Sequence, residues 1–411
     1  MQFTELHLNA SLLKAIAEER FQTPTRVQEK AIPPILAKKN VIVSAQTGTG
    51  KTAAFALPIL QLLLDRPTPE KKTKRIKSLI VTPTRELCLQ IEANFKSYAK
   101  HTDLTTTAVY GGVSLTPQKE ILKEGVDILI ATPGRLIDLH KQGAIDLRAI
   151  EIFVLDEADL MLDMGFINDV TTIESLCPRK KQSLLFSATI PDKIVALSET
   201  MIKNPITIKI NPAETTAKTI GQLLYYSPKK NKTDLCLHLL RNTINGKIII
   251  FRRTRIGVDK LEETLSKNGY KVTSIHGEKT QIIRNKAIED FKNKKATILI
   301  ATDVAARGID INNVDAIINF DIPNIPETYI HRIGRTGRAG KSGIAFSFCS
   351  PDEDTYIKTI EELLQRPIKV ITDHPYPRVQ PKKQKKQPNT ISKHKKGRKS
   401  EASKKKKKRW Y

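Results

Sequence analysis

The sequence predicts an α/β fold: two tandem parallel-sheet domains joined by a short linker, followed by a disordered basic tail. Three observations carry this. Short runs of Ile, Val and Leu alternate with longer helical patterns through two successive halves of the chain. One five-residue string occurs in both halves, as Ile128-Leu129-Ile130-Ala131-Thr132 and Ile298-Leu299-Ile300-Ala301-Thr302. After Asp373 the composition turns to Pro, Lys and Gln, too few apolar residues to repay the entropy of ordering.

In the first half the apolar runs are 41–43, 79–81, 128–130, 152–155 and 184–186. Apolar residues on consecutive positions mark strands covered on both faces, hence a parallel sheet with crossover helices. The second set is 248–251, 272–275, 298–300, 316–319 and 344–348. Asn211-Pro212-Ala213-Glu214-Thr215-Thr216-Ala217-Lys218 is polar and aperiodic, which suits a linker. The expected organisation is a first domain over 1–210, a linker over 211–219, a second domain over 220–372 and a tail over 373–411. The repeated string places Thr132 and Thr302 just beyond strand C-terminal ends, where open α/β sheets bind ligands.

The 411 residues carry a formal charge of +26, which points to a polyanionic partner, nucleic acid before membrane. From Arg378 onward there are 16 Lys/Arg against the single acid Glu401, a charge of +15, leaving +11 for residues 1–377. Such a tail suits a tether that holds a polyanionic partner near the core. Cys88, Cys177, Cys236 and Cys349 form no CxxC pair, which argues against zinc and fits a reducing compartment. The start, Met1-Gln2-Phe3-Thr4-Glu5, lacks the features of a secretory leader. The run 53–64 is short, contains Pro58, and is expected to be a buried helix instead of a membrane span. A cytoplasmic protein without membrane contact is expected.

Ala45-Gln46-Thr47-Gly48-Thr49-Gly50-Lys51-Thr52 follows a strand and opens a helix, the context a phosphate-binding loop requires. Its glycines let backbone N–H groups turn onto phosphates, Lys51 reaches the β/γ-phosphates, and the Thr52 hydroxyl ligates Mg²⁺. Asp156-Glu157-Ala158-Asp159 follows the strand at 152–155. Asp156 is the second metal residue, and Glu157 is placed to orient and deprotonate an attacking water.

With Ser187-Ala188-Thr189 and His331-Arg332-Ile333-Gly334-Arg335-Thr336-Gly337-Arg338, the sequence resembles the DEAD-box family of superfamily 2 helicases. Pro83-Thr84-Arg85-Glu86-Leu87, Gly111-Gly112 and Thr132-Pro133-Gly134-Arg135 match that family's RNA-facing motifs. The resemblance runs from about Phe3 to Ile371, and the compact core with its basic tail looks most like the bacterial RhlE-like group. It implies two RecA-like domains, ATP and Mg²⁺ as cofactors, and RNA-stimulated ATPase activity. Phe21-Gln22-Thr23-Pro24-Thr25-Arg26-Val27-Gln28 resembles the family's adenine-reading Q motif, with Arg20 where Gly is usual and Arg26 where Pro is common. There Phe21 stacks on the base and the Gln28 amide matches adenine. The resemblance makes Arg335 and Arg338 arginine fingers, Asp310 a ribose ligand, and His331 part of a coupling network with Asp159, Ser187 and Thr189.

The RNA-facing candidates are Thr84, Arg85, Gly111, Gly112, Thr132, Gly134 and Arg135 in the first domain, and Arg253, Arg284, Thr302 and Gly308 in the second. Hydroxyls, exposed N–H groups and guanidinium forks suit phosphate oxygens, so backbone and not base sequence should be recognised. A monomer that binds single strands and short duplexes is expected, with ribosomal precursors or mRNA complexes as candidate assemblies. The function implied is an ATP-dependent RNA helicase that locally separates short duplexes or remodels RNA–protein complexes. An ATP-gated RNA clamp or chaperone with little strand separation is the alternative; a DNA translocase and a non-catalytic scaffold are the weaker rivals.

Overall fold

A strand can bury all of its side chains only when helices cover both faces of its sheet. The computed structural model describes residues 1–46, 48–66, 75–210, 220–306, 311, 314–337 and 343–378, and it contains two such sheets. The first holds β1 (Val41–Ser44), β2 (Ser78–Val81), β3 (Thr106–Val109), β4 (Ile128–Ala131), β5 (Ile152–Asp156), β6 (Gln182–Ser187) and β7 (Ile206–Lys209), in the order β3-β4-β2-β5-β6-β1-β7. The second holds β8 (Ile220–Tyr226), β9 (Ile248–Arg252), β10 (Val272–Ile275), β11 (Ile298–Thr302), β12 (Ala316–Asn319), β13 (Gly343–Cys349) and β14 (Lys369–Val370), in the order β10-β11-β9-β12-β13-β8-β14. Every pairing is parallel. The second order repeats the first strand for strand, so the two halves share one topology. Each sheet with its helices is a lobe, and both lie in the compact unit Met1–Pro377.

All ten apolar runs lie in strands, and the repeated string occupies equivalent strands, β4 and β11. Four strands escaped the sequence reading: β3, β7, β8 and β14. Of these, β3, β7 and β14 are sheet edges, where one flank meets solvent and polar residues are tolerated. β8 interrupts its apolar residues with Gly221 and Gln222.

Each sheet has a core on both faces. In lobe 1, Ile32, Phe55 and Phe95 pack on Val43, Ile80 and Phe186, while Leu139, Met161 and Ile194 pack on Leu79, Leu129 and Leu185. In lobe 2, Phe291 and Tyr329 pack on Phe251 and Ile317, while Leu235, Leu261 and Leu265 pack on Ile250 and Ile318. The helix Lys51–Leu64 is buried on nearly every side, as its composition implies. No helix of the described residues is long and apolar enough to cross a membrane.

Residues 373–377, expected to begin the disordered tail, instead pack on lobe 2. His374 meets the Tyr225 ring edge-on at 5.4 Å, and Tyr376 leans on the core beneath. Two aromatic residues in a polar run supply the contact that composition averaged away. The linker at 211–219 and the tail from 379 lie outside the described residues.

Lobe 2 also encloses an ion pair. Lys232 and Glu353, 1% and 3% exposed, meet at 2.5 Å. Glu353 also accepts from Ser350 Oγ at 2.8 Å, Ile322 N at 3.1 Å and Arg253 Nη2 at 3.1 Å. Removing one member of a buried pair strands the other charge at low dielectric, a loss of about 3–5 kcal/mol. Lys232→Met is therefore expected to destabilise lobe 2 by about 3 kcal/mol in denaturant unfolding. An unchanged midpoint would show that the pair does not hold this lobe together.

Candidate active site and nucleic-acid interface

The nucleotide side is built where β5, β6 and β1 end side by side. Asp156 pairs in register with Phe186, and Ser44 with Ser187, so the loops leaving these strands start at one level. Gly48 and Gly50 adopt φ of +81° and +90°, a backbone that exposes N–H groups on the inner side of the turn. Thr49 Oγ1 donates to the Gln46 carbonyl at 2.7 Å and tightens the turn. Lys51 is buried at 6% exposure, and its ammonium has no hydrogen-bond partner. A buried cation left in this state calls for an anion, and the phosphates of a nucleotide fit the cradle. Thr52, one residue on, is half-buried, and Thr47 lies outside the described residues.

Asp156 is 3% exposed. Burial pushes its carboxyl up to about 7, against the pull of Lys51. Glu157 takes a left-handed backbone, φ 54° and ψ 52°, uncommon for a residue with a side chain, and so turns the chain from β5 into the helix Ala158–Asp163. Asp159 Oδ2 accepts from the N–H and Oγ1 of Thr189, both at 3.0 Å, and the Asp159 N–H donates to Ser187 Oγ at 3.1 Å. Burial would raise the Asp159 carboxyl, but His331, Lys51 and the two hydroxyls outweigh it and hold it below the usual carboxylate value.

His331 and Arg335 come from lobe 2. With Glu157, Asp159 and Thr189 they line a cavity of about 370 Å³ between the lobes. Arg332, between them in sequence, was not singled out as a site residue, yet it anchors this segment. Its guanidinium grips Asp303 through two bonds of 2.6 and 2.7 Å, reaches the Asp321 carbonyl at 2.7 Å, and lies over the Phe251 ring. Helix Pro326–Ile333 is thus pinned to the ends of β9, β11 and β12. Arg338 and Asp310 lie outside the described residues.

On the base side, Thr25 and Gln28 form a capping box at the start of helix Arg26–Leu36. Gln28 Oε1 accepts from Thr25 N at 2.9 Å, and Nε2 donates to the Gly50 carbonyl at 3.2 Å. A side chain on Gly50 would strike that amide, its Cβ 2.5 Å from Nε2. Phe21 stacks on Phe3 at 6.2 Å and meets Tyr98 edge-on. Arg20, at the position where the resemblance expects Gly, has φ +59°, which is the conformation that makes Gly the easier residue there. An amide has two lone pairs and two N–H groups, so Gln28 keeps one of each for a base. Gln28→Ala is expected to raise KM for ATP and narrow the ATP-over-GTP preference, each by about tenfold, the worth of one hydrogen bond of about 1.4 kcal/mol. Steady-state kinetics with both nucleotides would show this, and an unchanged ratio would end the role of Gln28 as base reader.

On the other side of the interlobe cleft, three arginines gather. Gly112, at φ +78°, leaves the space that the Arg85 guanidinium fills. Arg135 Nη2 donates to the Val113 carbonyl at 2.9 Å, while its Nη1 is buried without a partner. Burial, with Arg85 nearby, lowers the Arg135 guanidinium from its usual value, and burial likewise lowers Arg284. Arg284 pairs with Glu86 of lobe 1 at 2.9 Å, and Gln281 donates to the same carboxylate at 2.8 Å. Glu86, Gln281 and Gln118 were missed in the sequence reading. Gln118 is 8% exposed and braces the loop before Gly111-Gly112, bonding the Tyr110 N–H and carbonyl at 3.2 Å each. The signal for the first two was the Gln281-Arg284 spacing on one helical face opposite an acid in the Thr84 motif.

The remaining candidates are more scattered. Thr84 Oγ1 caps its helix by accepting from Leu87 N at 3.3 Å, and Thr132 sits buried at the cap of helix Pro133–Lys141. Gly134 faces open space, and Thr302 is half-buried at the end of β11. Arg253 does not join the other arginines: its guanidinium bonds the Ile322 carbonyl at 2.7 Å and Glu353 within lobe 2. Gly308 lies outside the described residues.

Residues 25–197 match the DEAD/DEAH box helicase family, and residues 231–340 match the helicase conserved C-terminal domain. This chain belongs to the DEAD/DEAH box helicase family. The helicase is 44% identical over 351 residues to the DEAD-box ATP-dependent RNA helicase RhpA of Helicobacter pylori, covering 85% of this chain and 70% of RhpA. Its structure is similar to S. cerevisiae Dbp5 bound to RNA and ADP BeF3, with a TM-score of 0.81 and 32% identity over 90% of this chain and 95% of that one. Against a Dbp5 variant bound to Gle1 and IP6 the TM-score is 0.71, at 32% identity over 91% and 95%.

Proposed function

We propose that this helicase closes its two lobes on ATP and RNA together and uses the closed state to separate short duplexes. It is an ATP-dependent RNA helicase. The observation that carries the mechanism is the cavity shared by Glu157 of lobe 1 and His331 and Arg335 of lobe 2, because neither lobe alone completes it.

In this reading Phe21 and Gln28 hold the base side, and Gln46, Thr47, Gly48, Thr49, Gly50 and Lys51 form the loop that holds the phosphates. Thr52 and Asp156 offer hard oxygen ligands for Mg²⁺, which neutralises charge on the β- and γ-phosphates when bound. Glu157 takes the proton of the attacking water. Arg335 and Arg338 meet the charge on the transferred phosphoryl group, and Asp310 receives the ribose. Asp159, Ser187, Thr189 and His331 transmit lobe closure to this chemistry.

RNA backbone lies along Thr84, Arg85, Gly111, Gly112, Thr132, Gly134 and Arg135, and continues over Arg284, Thr302 and Gly308, with Arg253 at the margin. ATP and RNA both favour closure, so each raises the affinity for the other. Residues 211–219 are the linker between domains 1–210 and 220–372. The helicase works as a monomer in the cytoplasm on structured RNA such as ribosomal precursors or mRNA complexes.

The test is stimulation of ATP hydrolysis by single-stranded RNA and by DNA of equal sequence. Backbone recognition through the 2′-hydroxyl predicts strong stimulation by RNA and weak stimulation by DNA. Equal stimulation by both would overturn the RNA assignment.

A further inference from the structure

The end of lobe 2 from which β9, β10 and β11 start carries a lysine surface with no part in lobe closure or hydrolysis. These three strands are neighbours, so the segments entering them lie side by side. Arg241 Nη2 donates to Asn268 Oδ1 at 2.9 Å, Lys247 Nζ to the Lys292 carbonyl at 3.0 Å, and Thr297 N to the Lys271 carbonyl at 2.9 Å. These bonds gather Arg241, Lys247, Lys267, Lys271, Lys292, Lys294 and Lys295 at one end of the lobe. All are exposed except Lys247, which is half-buried.

Few acids offset them. Lys267 pairs with Glu263 at 2.7 Å, and Lys295 faces Asp290 at 3.9 Å. Asp315 spends a carboxylate oxygen on the Lys247 N–H at 2.7 Å, and Glu289 is exposed nearby. Arg241, Lys247, Lys271, Lys292 and Lys294 have no carboxylate partner among the described residues.

Helix dipoles account for part of this, since Arg241, Lys267 and Lys292 lie in last turns. They do not account for Lys247, Lys271, Lys294 or Lys295. Lobe 1 provides an internal control, because β2, β3 and β4 hold the equivalent places in the same topology. Its corresponding end has Lys77 paired with Glu151, Lys96 with Glu92, and Lys100 and His101 with Glu18, beside Asp103 and Asp127. Among the described residues most cations at that end of lobe 1 are paired, Arg75 and Lys123 being exposed exceptions, whereas at this end of lobe 2 most lack a carboxylate partner.

Protein interfaces are depleted in Lys and enriched in aromatic anchors, and none of the large exposed apolar side chains falls among these residues. Ammonium groups on flexible stems suit phosphates held as point charges. We propose that this end of lobe 2 is a second RNA-contacting surface, which takes the backbone of a segment flanking the strand held between the lobes. This rests on the RNA-helicase reading of the cleft. Arg284 and Thr302 follow the opposite ends of the same strands, so RNA reaches the lysines only by continuing outside the cleft. The surface keeps structured RNA at high effective concentration while the cleft opens and closes.

The test replaces Arg241, Lys271, Lys292 and Lys294 together with Gln in the full chain, which removes four charges and no packing. Affinity is measured against salt for two RNAs, a short unstructured strand and the same strand joined to a hairpin. For the hairpin RNA, the slope of log K against log salt is expected to fall by about 3, from roughly 0.7–0.9 per lost phosphate contact. Binding of the short strand and the RNA-saturated ATPase rate stay at wild-type values. Parallel slopes on the hairpin RNA would overturn the second surface. Equal weakening on both RNAs would overturn it too, since the cations would then act in the cleft. Wild-type protein is assayed first for RNA-stimulated hydrolysis, whose absence would remove the cleft reading itself.

Discussion

Arg335→Ala is expected to lower RNA-stimulated ATP turnover by about 10³–10⁵, the worth of an arginine finger. Arg335 is 7% exposed, lines the interlobe cavity with Glu157 and His331, and follows a helix that Arg332 pins through Asp303. A guanidinium held there is preorganised, so little free energy is lost in aligning it as charge develops. ATP contacts from lobe 1 should survive, because Lys51 and the glycine turn belong to the other lobe. Binding of a fluorescent ATP analogue measured beside kcat separates the two effects. Turnover within tenfold of wild type would take Arg335 out of the reaction.

Glu157→Gln comes next, with hydrolysis falling by about 10²–10⁴ as for loss of a general base. The amide keeps the size of the side chain and its left-handed backbone, φ 54°, but cannot hold the transferred proton. Lobe closure should persist, so ATP should lengthen the residence of RNA on the variant beyond that on wild type. Single-turnover hydrolysis and RNA dissociation rates are the measurements. Rapid RNA release with ATP present would show that closure does not survive loss of the carboxylate, and normal hydrolysis would assign the base elsewhere.

Much of this was legible in the chain. Strands buried on both faces have to be apolar at consecutive positions, so nine of the ten runs, all but that of the edge strand β10, announced themselves. The repeated Ile-Leu-Ile-Ala-Thr string fell on equivalent strands, β4 and β11, of two sheets with one strand order. Edge strands such as β7, exposed at three of its four positions, lack that signature. The phosphate loop was equally plain, since a glycine turn between a strand and a helix is a local object whose parts are adjacent in sequence.

The sequence by itself determined the two-lobed parallel architecture, the glycine turn around Lys51, the acids after β5 and the basic balance, because each follows from neighbours along the chain. Only the tertiary structure decided which charges meet. Arg284 lies against Glu86 beside Arg85 and Arg135, while Arg253, a candidate whose string carries an extra arginine at 252, turns inward to Glu353. Gln281 and Glu86 are 195 residues apart and meet at 2.8 Å, a distance set by how two separately built sheets dock. The physical reason is range: periodicity and turn chemistry act over a few residues, whereas a salt bridge between lobes depends on packing that no local pattern records.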